Sequence, residues 1–137
     1  MQYIQNYVLG EWVNGKGEEL IAKDAVTGDD IGIVSSAGLD YEAILQYGRE
    51  KGGKALRKMT FQERGRMLKA LALHLFEIKN QFYETSFRTG ATKIDSWVDI
   101  EGGIGNLFAN ASLRRQFPDL PYYVDGQPAA LSKEGTF

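Results

Sequence analysis

Covalent catalysis needs a nucleophile, a base and a group that orients the base. The 137-residue sequence is sparing with all three. It contains no cysteine, so no thiolate nucleophile, disulfide or thiolate metal ligand arises within it. His74 is the single histidine and lies between Leu73 and Leu75, with no serine or cysteine pattern around it. A structural or surface role is expected for it. Asp99 and Glu101 are two positions apart, and on a helix such residues do not face each other. A paired-carboxylate site is therefore not expected, and Asp99 should cap, pair or face solvent. Gly102-Gly103-Ile104-Gly105 superficially resembles a dinucleotide loop. It lacks a preceding strand and a correctly spaced third glycine, and it falls within a helical stretch. No cluster has metal-ligand spacing. The aromatic pairs Phe82-Tyr83 and Tyr122-Tyr123 read as core and strand residues rather than a ligand cage.

Charge offers one further constellation. Arg49, Lys51, Lys54, Arg57, Lys58, Arg64, Arg66 and Lys69 follow a mostly acidic opening that holds Glu11, Glu18, Glu19, Asp24, Asp29 and Asp30. Two readings compete: solvated helix faces of one sign, or an anion site for a phosphorylated ligand or nucleic acid. Only Phe61 interleaves as an aromatic, which disfavours single-strand stacking. The whole-chain net charge of −2 makes no case for nucleic acid or an anionic membrane. At 43% apolar and 25% charged, the composition is that of a soluble globular domain. The start lacks a signal-peptide pattern. No apolar run approaches the ~18 residues needed to span a bilayer. A cytoplasmic setting is the expectation.

Tyr7-Val8-Leu9 and Trp12-Val13 are β-prone, with a turn expected at Gly10-Glu11. Turns at 14–17 and 25–29 flank strands expected at 19–23 and 31–35. Residues 1–36 therefore read as a small antiparallel β-meander. A helical region is expected over 39–116. Asp40 can cap its first helix, and Gly52-Gly53 weaken it. Thr60 and Glu63 form a capping box. Behind it, Leu68, Leu71, Leu75, Ile78 and Phe82 form one apolar stripe, with a kink expected near Lys79-Asn80 and an end at Gly90. Thr92 and Asp95 start a third helix, with Ile94, Trp97, Val98, Ile104, Leu107, Phe108 and Ala111 on its apolar faces. Its glycines 102, 103 and 105 each cost roughly 1 kcal/mol relative to alanine, which points to a close approach by a neighbour. Pro118 and Pro121 break the chain. Tyr122-Tyr123-Val124, a turn at Asp125-Gly126 and a return over 129–137 make a partial β-hairpin over 121–137. No strand–helix–strand alternation is present, so no parallel nucleotide-binding sheet is expected.

Taken in order, these segments resemble the N-terminal part of the aldehyde dehydrogenase superfamily. The resemblance rests on Gly10-Glu11-Trp12-Val13-Asn14-Gly15 and on Asp24-Ala25-Val26-Thr27-Gly28-Asp29-Asp30-Ile31. It continues through Glu63-Arg64, Leu68 and Ala72, then Thr89-Gly90-Ala91-Thr92 and Val98-Asp99-Ile100-Glu101. Ala25 stands where that family usually has proline. The segments 89–96, 99–104 and 131–137 are similar to those of the bifunctional ring-opening proteins of phenylacetic acid degradation, which add an enoyl-CoA-hydratase-like domain. The fold implied is an α/β, aldehyde dehydrogenase-like N-terminal segment. The implied activity is oxidation of a CoA-linked semialdehyde with NADP or NAD, by a cysteine, a glutamate and a dinucleotide-binding sheet that lie downstream in the family.

No catalytic, cofactor-binding or metal residue is carried over, and the chain alone is expected to be inactive and to bind no cofactor. The resemblance assigns Asp99, Gly102, Gly103 and Asn106 to a substrate-tunnel wall; close helix packing is the alternative for the two glycines. The implied partners are the remainder of the dehydrogenase domain and a second copy paired through the terminal hairpin, with neither nucleic acid nor membrane. A non-catalytic module that associates with a complete enzyme is the competing reading, and a small basic-faced domain for nucleic acid or phosphorylated ligands is a third.

Overall fold

The computed structural model describes residues 2–126. Five short strands come first: β1 (Tyr3–Ile4), β2 (Asn6–Val8), β3 (Glu11–Val13), β4 (Leu20–Lys23) and β5 (Asp30–Val34). Helix α1 (Tyr41–Tyr47) runs through a π-helical turn (Gly48–Gly53) into α2 (Lys54–Lys58). The long α3 (Phe61–Arg88) and α4 (Lys93–Ser112) form an antiparallel pair, and a 3₁₀ turn (Leu113–Gln116) follows.

The opening strands are not a meander. β2 and β3 form an antiparallel hairpin of their own. In the other sheet the order is β1-β5-β4, with β1 parallel to β5 and β4 antiparallel to it. Residue alternation shows that a segment is a strand but not which strand lies beside it. Gly32 accommodates the pairing. A Cβ on Gly32 would lie 2.9 Å from Ile4 Cδ1, so a bare Cα lets β1 lie against β5. The first hairpin also turns one residue earlier than expected, at Leu9 and Gly10, with φ of 56° and 91°. A two-residue hairpin loop with positive φ at both positions matches the twist of its flanking strands.

Helix starts follow the sequence closely. The Asp40 carboxylate accepts from Ala43 N. Both capping boxes form: Thr60 with Glu63, and Thr92 with Asp95. Each ties up backbone donors that the first helical turn leaves without partners. α3 continues unbroken through Lys79 and Asn80. It stops where Gly90 takes a φ of 84°, which a side chain would resist.

The core lies between α3 and α4. Ala72, Ile104 and Ala111 are its buried apolar residues, and Ser96 is fully buried with its hydroxyl accepting from Ser86 Oγ at 2.9 Å. Gly65 on α3 is also buried. The α3 stripe is rotated from the expected one: Leu68 and Leu75 are partly covered, but Leu71 and Phe82 are exposed. Ile94, Trp97 and Val98 are exposed on α4. The apolar arc on α3 is wider than one helix can cover, so α4 occupies its middle and leaves both flanks open.

The strand expected at Tyr122-Tyr123-Val124 does not form among the described residues; these residues have no ladder partner. Pro121 removes one donor at its start. The expected return over 129–137 lies outside the described residues. Phe117 instead stacks on Phe61, with centroids 4.5 Å apart, and Tyr123 meets Phe117 edge-on at 5.3 Å. Gln62 Nε2 donates to the carbonyls of Arg114 and Phe117 at 2.7 and 3.2 Å. These contacts fasten the end of the helical hairpin to its beginning.

Among the glycines of α3 and α4, Gly65 is the one that a neighbour approaches. A Cβ there would lie 2.6 Å from Arg114 Cδ and 2.9 Å from the Ala111 carbonyl oxygen. Gly65→Ala should destabilise the fold by about 1–3 kcal/mol, the usual cost of overpacking, despite the better helix propensity of alanine. Urea unfolding followed by circular dichroism checks this; equal or greater stability would contradict the packing described.

Candidate functional site

Asp99, Gly102, Gly103 and Asn106 follow the i, i+3, i+4, i+7 pattern and so share one face of α4. All four are exposed. A Cβ on Gly102, Gly103 or Gly105 would meet no other described atom within 4 Å. The close approach expected at these glycines is therefore absent among the described residues. The helix surface at these glycines is open. Its polar end is set by Asn110 Nδ2, which donates to Asn106 Oδ1 at 2.8 Å and to the Asn106 carbonyl at 2.9 Å.

The same glycines do not make a phosphate cradle. They lie in the interior of α4, where backbone N–H groups are committed to the helical ladder. A dinucleotide diphosphate needs free N–H groups at a helix start, and the run offers none.

A second feature lies on the side of α4 that faces α3. Glu101 Oε1 receives Lys79 Nζ at 2.9 Å and the Tyr83 hydroxyl at 3.0 Å. Lys79, Asn80, Tyr83, Phe87, Lys93 and Glu101 line an open cavity of about 330 Å³ beside this network. Lys79 also sits 4.2 Å above the Phe76 ring. The Lys79 ammonium, donating to the carboxylate, holds the Glu101 pKa below the ordinary glutamate value, against the opposing effect of burial. Burial, then the neighbouring Glu101 carboxylate, pushes the Tyr83 phenol up. A carboxylate with a lowered pKa and two donors on one oxygen suits bracing better than general-base work near neutrality.

Sequence spacing did not reveal this network. Lys79 and Glu101 lie on different helices, and only the register of the α3–α4 pair brings them together. Asp99, two residues before Glu101, faces away from it and is exposed. His74 is exposed on α3. Among the described residues, no group of three or more His, Cys, Asp or Glu could hold a metal ion. No helix among them is long and apolar enough to cross a membrane.

Glu101 supplies a pH signature. With a lowered folded-state pKa, its contribution to stability is fully present above the ordinary glutamate value of 4.5 and is lost as pH falls through the lowered value. Replacing Lys79 with methionine should raise the Glu101 pKa and flatten the acid limb of the stability–pH curve. Carbon-detected NMR titration of the Glu101 carboxyl measures the first effect. An unchanged Glu101 titration would show that Lys79 does not hold it.

Comparison with known proteins gives the geometry a family context. No protein-family model matches the chain. A 3,4-dehydroadipyl-CoA semialdehyde dehydrogenase from Aromatoleum evansii is 33% identical over 135 residues, which is 98% of this chain and 26% of that protein. The chain thus spans about a quarter of the length of the curated relative it matches. The resemblance to the aldehyde dehydrogenases is shown over nearly all of the chain. The mixed α/β structure, with its small sheets, is compatible with a segment of such an enzyme.

Proposed function

We propose that this chain, kin to the aldehyde dehydrogenases over nearly its whole length, is one segment of an enzyme that oxidises a CoA-linked semialdehyde in the catabolism of aromatic acids such as phenylacetate. The observation that carries the reading is the 33% identity, over 98% of the chain, to a dehydrogenase of that substrate class. The overall reaction converts the aldehyde and water into a carboxylic acid while a hydride reduces NADP, with NAD as the other candidate acceptor. A nicotinamide dinucleotide supplies that hydride acceptor.

The chain has no cysteine to attack the aldehyde. Glu101 is engaged by Lys79 and Tyr83, and the glycine run is closed to phosphate. The role proposed for these residues is to shape the enzyme rather than to react. The open face of α4 suits the wall of a substrate tunnel: Gly102 and Gly103 leave width, while Asp99 and Asn106 provide polar edges. Exposed Ile94, Trp97, Val98, Leu71 and Phe76 suit contact with the remainder of the dehydrogenase. Pairing of a second copy through residues 121–137 belongs to the same proposal.

Two measurements test it. The polypeptide that carries these residues at its native length should reduce NADP or NAD when given a CoA-linked semialdehyde, whereas residues 1–137 alone should not. Turnover by residues 1–137 alone, or none by the native polypeptide, would overturn the reading.

The tunnel wall has its own test. Gly102→Leu meets open space in this structure and should raise helix propensity by somewhat under 1 kcal/mol, so the fold should survive. In the native polypeptide it should raise KM for the CoA-linked substrate about tenfold, the loss of roughly 1.4 kcal/mol of binding. Unchanged turnover of that substrate removes Gly102 from the wall.

A further inference from the structure

The segment 49–58 carries five cations, Arg49, Lys51, Lys54, Arg57 and Lys58, against one acid, Glu50. All five cations are exposed. The two ion pairs among the described residues are Lys23–Asp30 and Lys79–Glu101, so none of the five is neutralised by a carboxylate there. Glu50 accepts from Gln46 Nε2 instead.

The backbone beneath these cations is unusual. Residues 48–53 form a π-helical turn between two α-helical pieces. Such turns are rare and occur frequently at functional sites. Glycines at 48, 52 and 53 make the turn accessible, and a Cβ on Gly53 would lie 3.3 Å from Arg57 Nη1. The Arg57 guanidinium therefore lies over the π-turn, with Lys54 and Lys58 on the same short helix α2. Like charges held this close repel one another, and a polyanion would relieve that repulsion.

We propose that the π-turn and α2 form a polyphosphate-docking surface that takes the 3′-phosphate and diphosphate of coenzyme A. The inference rests on the CoA-linked substrate proposed above, and adds to it where the charged end of that substrate is held. Arg57 offers a planar fork matched to a phosphate. The lysines act as point charges around it. The thioester end is then free to extend away from the surface towards the reacting groups. A surface of this kind contributes binding and encounter rate rather than chemistry.

The test uses the native-length polypeptide and the triple variant Lys54→Gln, Arg57→Gln, Lys58→Gln. Calorimetric titration with CoA should show binding that weakens as salt rises, that is weaker for dephospho-CoA, and that falls about tenfold or more in the variant. KM for the CoA-linked semialdehyde should rise in parallel, with kcat unchanged and turnover of a CoA-free aldehyde unaffected. The side chains are exposed, and matching thermal melts would confirm that the variant is folded. CoA affinity unchanged in the variant overturns the docking surface, even where the native enzyme oxidises its substrate. Binding of a short oligonucleotide that matches CoA in affinity overturns it too, in favour of a general polyanion surface. CoA binding that is lost in the variant, in a polypeptide that oxidises no aldehyde, upholds the surface and removes the enzymatic reading.

Discussion

The α3–α4 contact is the constraint on which the rest of the described structure depends. It is a seam of small residues, Gly65 and Ala72 on α3 and Ser96 and Ala111 on α4, and Ile104 is the one large side chain buried there. Small side chains let two helices approach closely, so the contact is made by backbone and short side chains over a long overlap. Its cost is a thin core. Full burial of a side chain such as Ile104 contributes about 1.5–3 kcal/mol, and few such terms exist within the seam. The polar braces at its ends therefore matter more than usual. The Ser86–Ser96 hydroxyl pair lies near the α3–α4 turn, Glu101 joins the helices further along, and Gln62 holds the far end.

The peripheral elements are positioned from this seam. Ala25 N donates to the Arg88 carbonyl at 2.8 Å, so the β4–β5 loop is tied to the end of α3. Lys16 N donates to the Ala37 carbonyl at 2.7 Å, and Asn6 Nδ2 donates to Ser35 O at 2.8 Å. Strand residues and the entry to α1 are thus linked by hydrogen bonds to backbone carbonyls more than by a shared apolar interior. Tyr7 and Trp12 pair across the first hairpin with ring centroids 5.0 Å apart, yet both remain exposed. A sheet that buries so little of its own apolar surface is held in place by its connections.

Legibility in the sequence follows the range of each interaction. The capping boxes of Thr60 with Glu63 and Thr92 with Asp95 involve partners three residues apart, and they are correct to the residue. The Asp40 cap and the positive-φ stop at Gly90 are equally local. Pairing of β1 with β5 spans about thirty residues and places Ile4 against a bare Cα at Gly32, which no alternation pattern encodes. The phase of the α3 stripe was misplaced because its apolar arc exceeds the width of the seam. The stripe at 68, 71, 75, 78 and 82 marks one flank of that arc, whereas the small residues at 65 and 72 mark the contact. The glycines of α4 misled in the opposite sense. A helical glycine signals either a neighbour or a space, and Gly65 is the first case while Gly102 and Gly103 are the second. The family resemblance placed Asp99, Gly102, Gly103 and Asn106 together, and their common face follows from spacing alone. The Glu101 network needed the register of two helices and was not visible.

Gly65 and Gly102 also separate what holds the molecule together from what it offers to a ligand. At Gly65 the space is filled by Arg114 and the Ala111 carbonyl, so the residue serves the fold. At Gly102 the missing side chain is expensive for the helix by propensity and nothing described here uses the vacated volume. The tunnel wall proposed above would give that cost a return. The cationic π-turn has the same character. A π-turn forgoes regular helical bonding, and five unneutralised cations raise their mutual repulsion. Both features disfavour the isolated chain, and on the reading proposed above both serve a polyanionic, chain-like substrate. That shared asymmetry gives the CoA-linked reading its physical content beyond the identity to a relative. It is expressed in helices whose packing seam is complete without either feature.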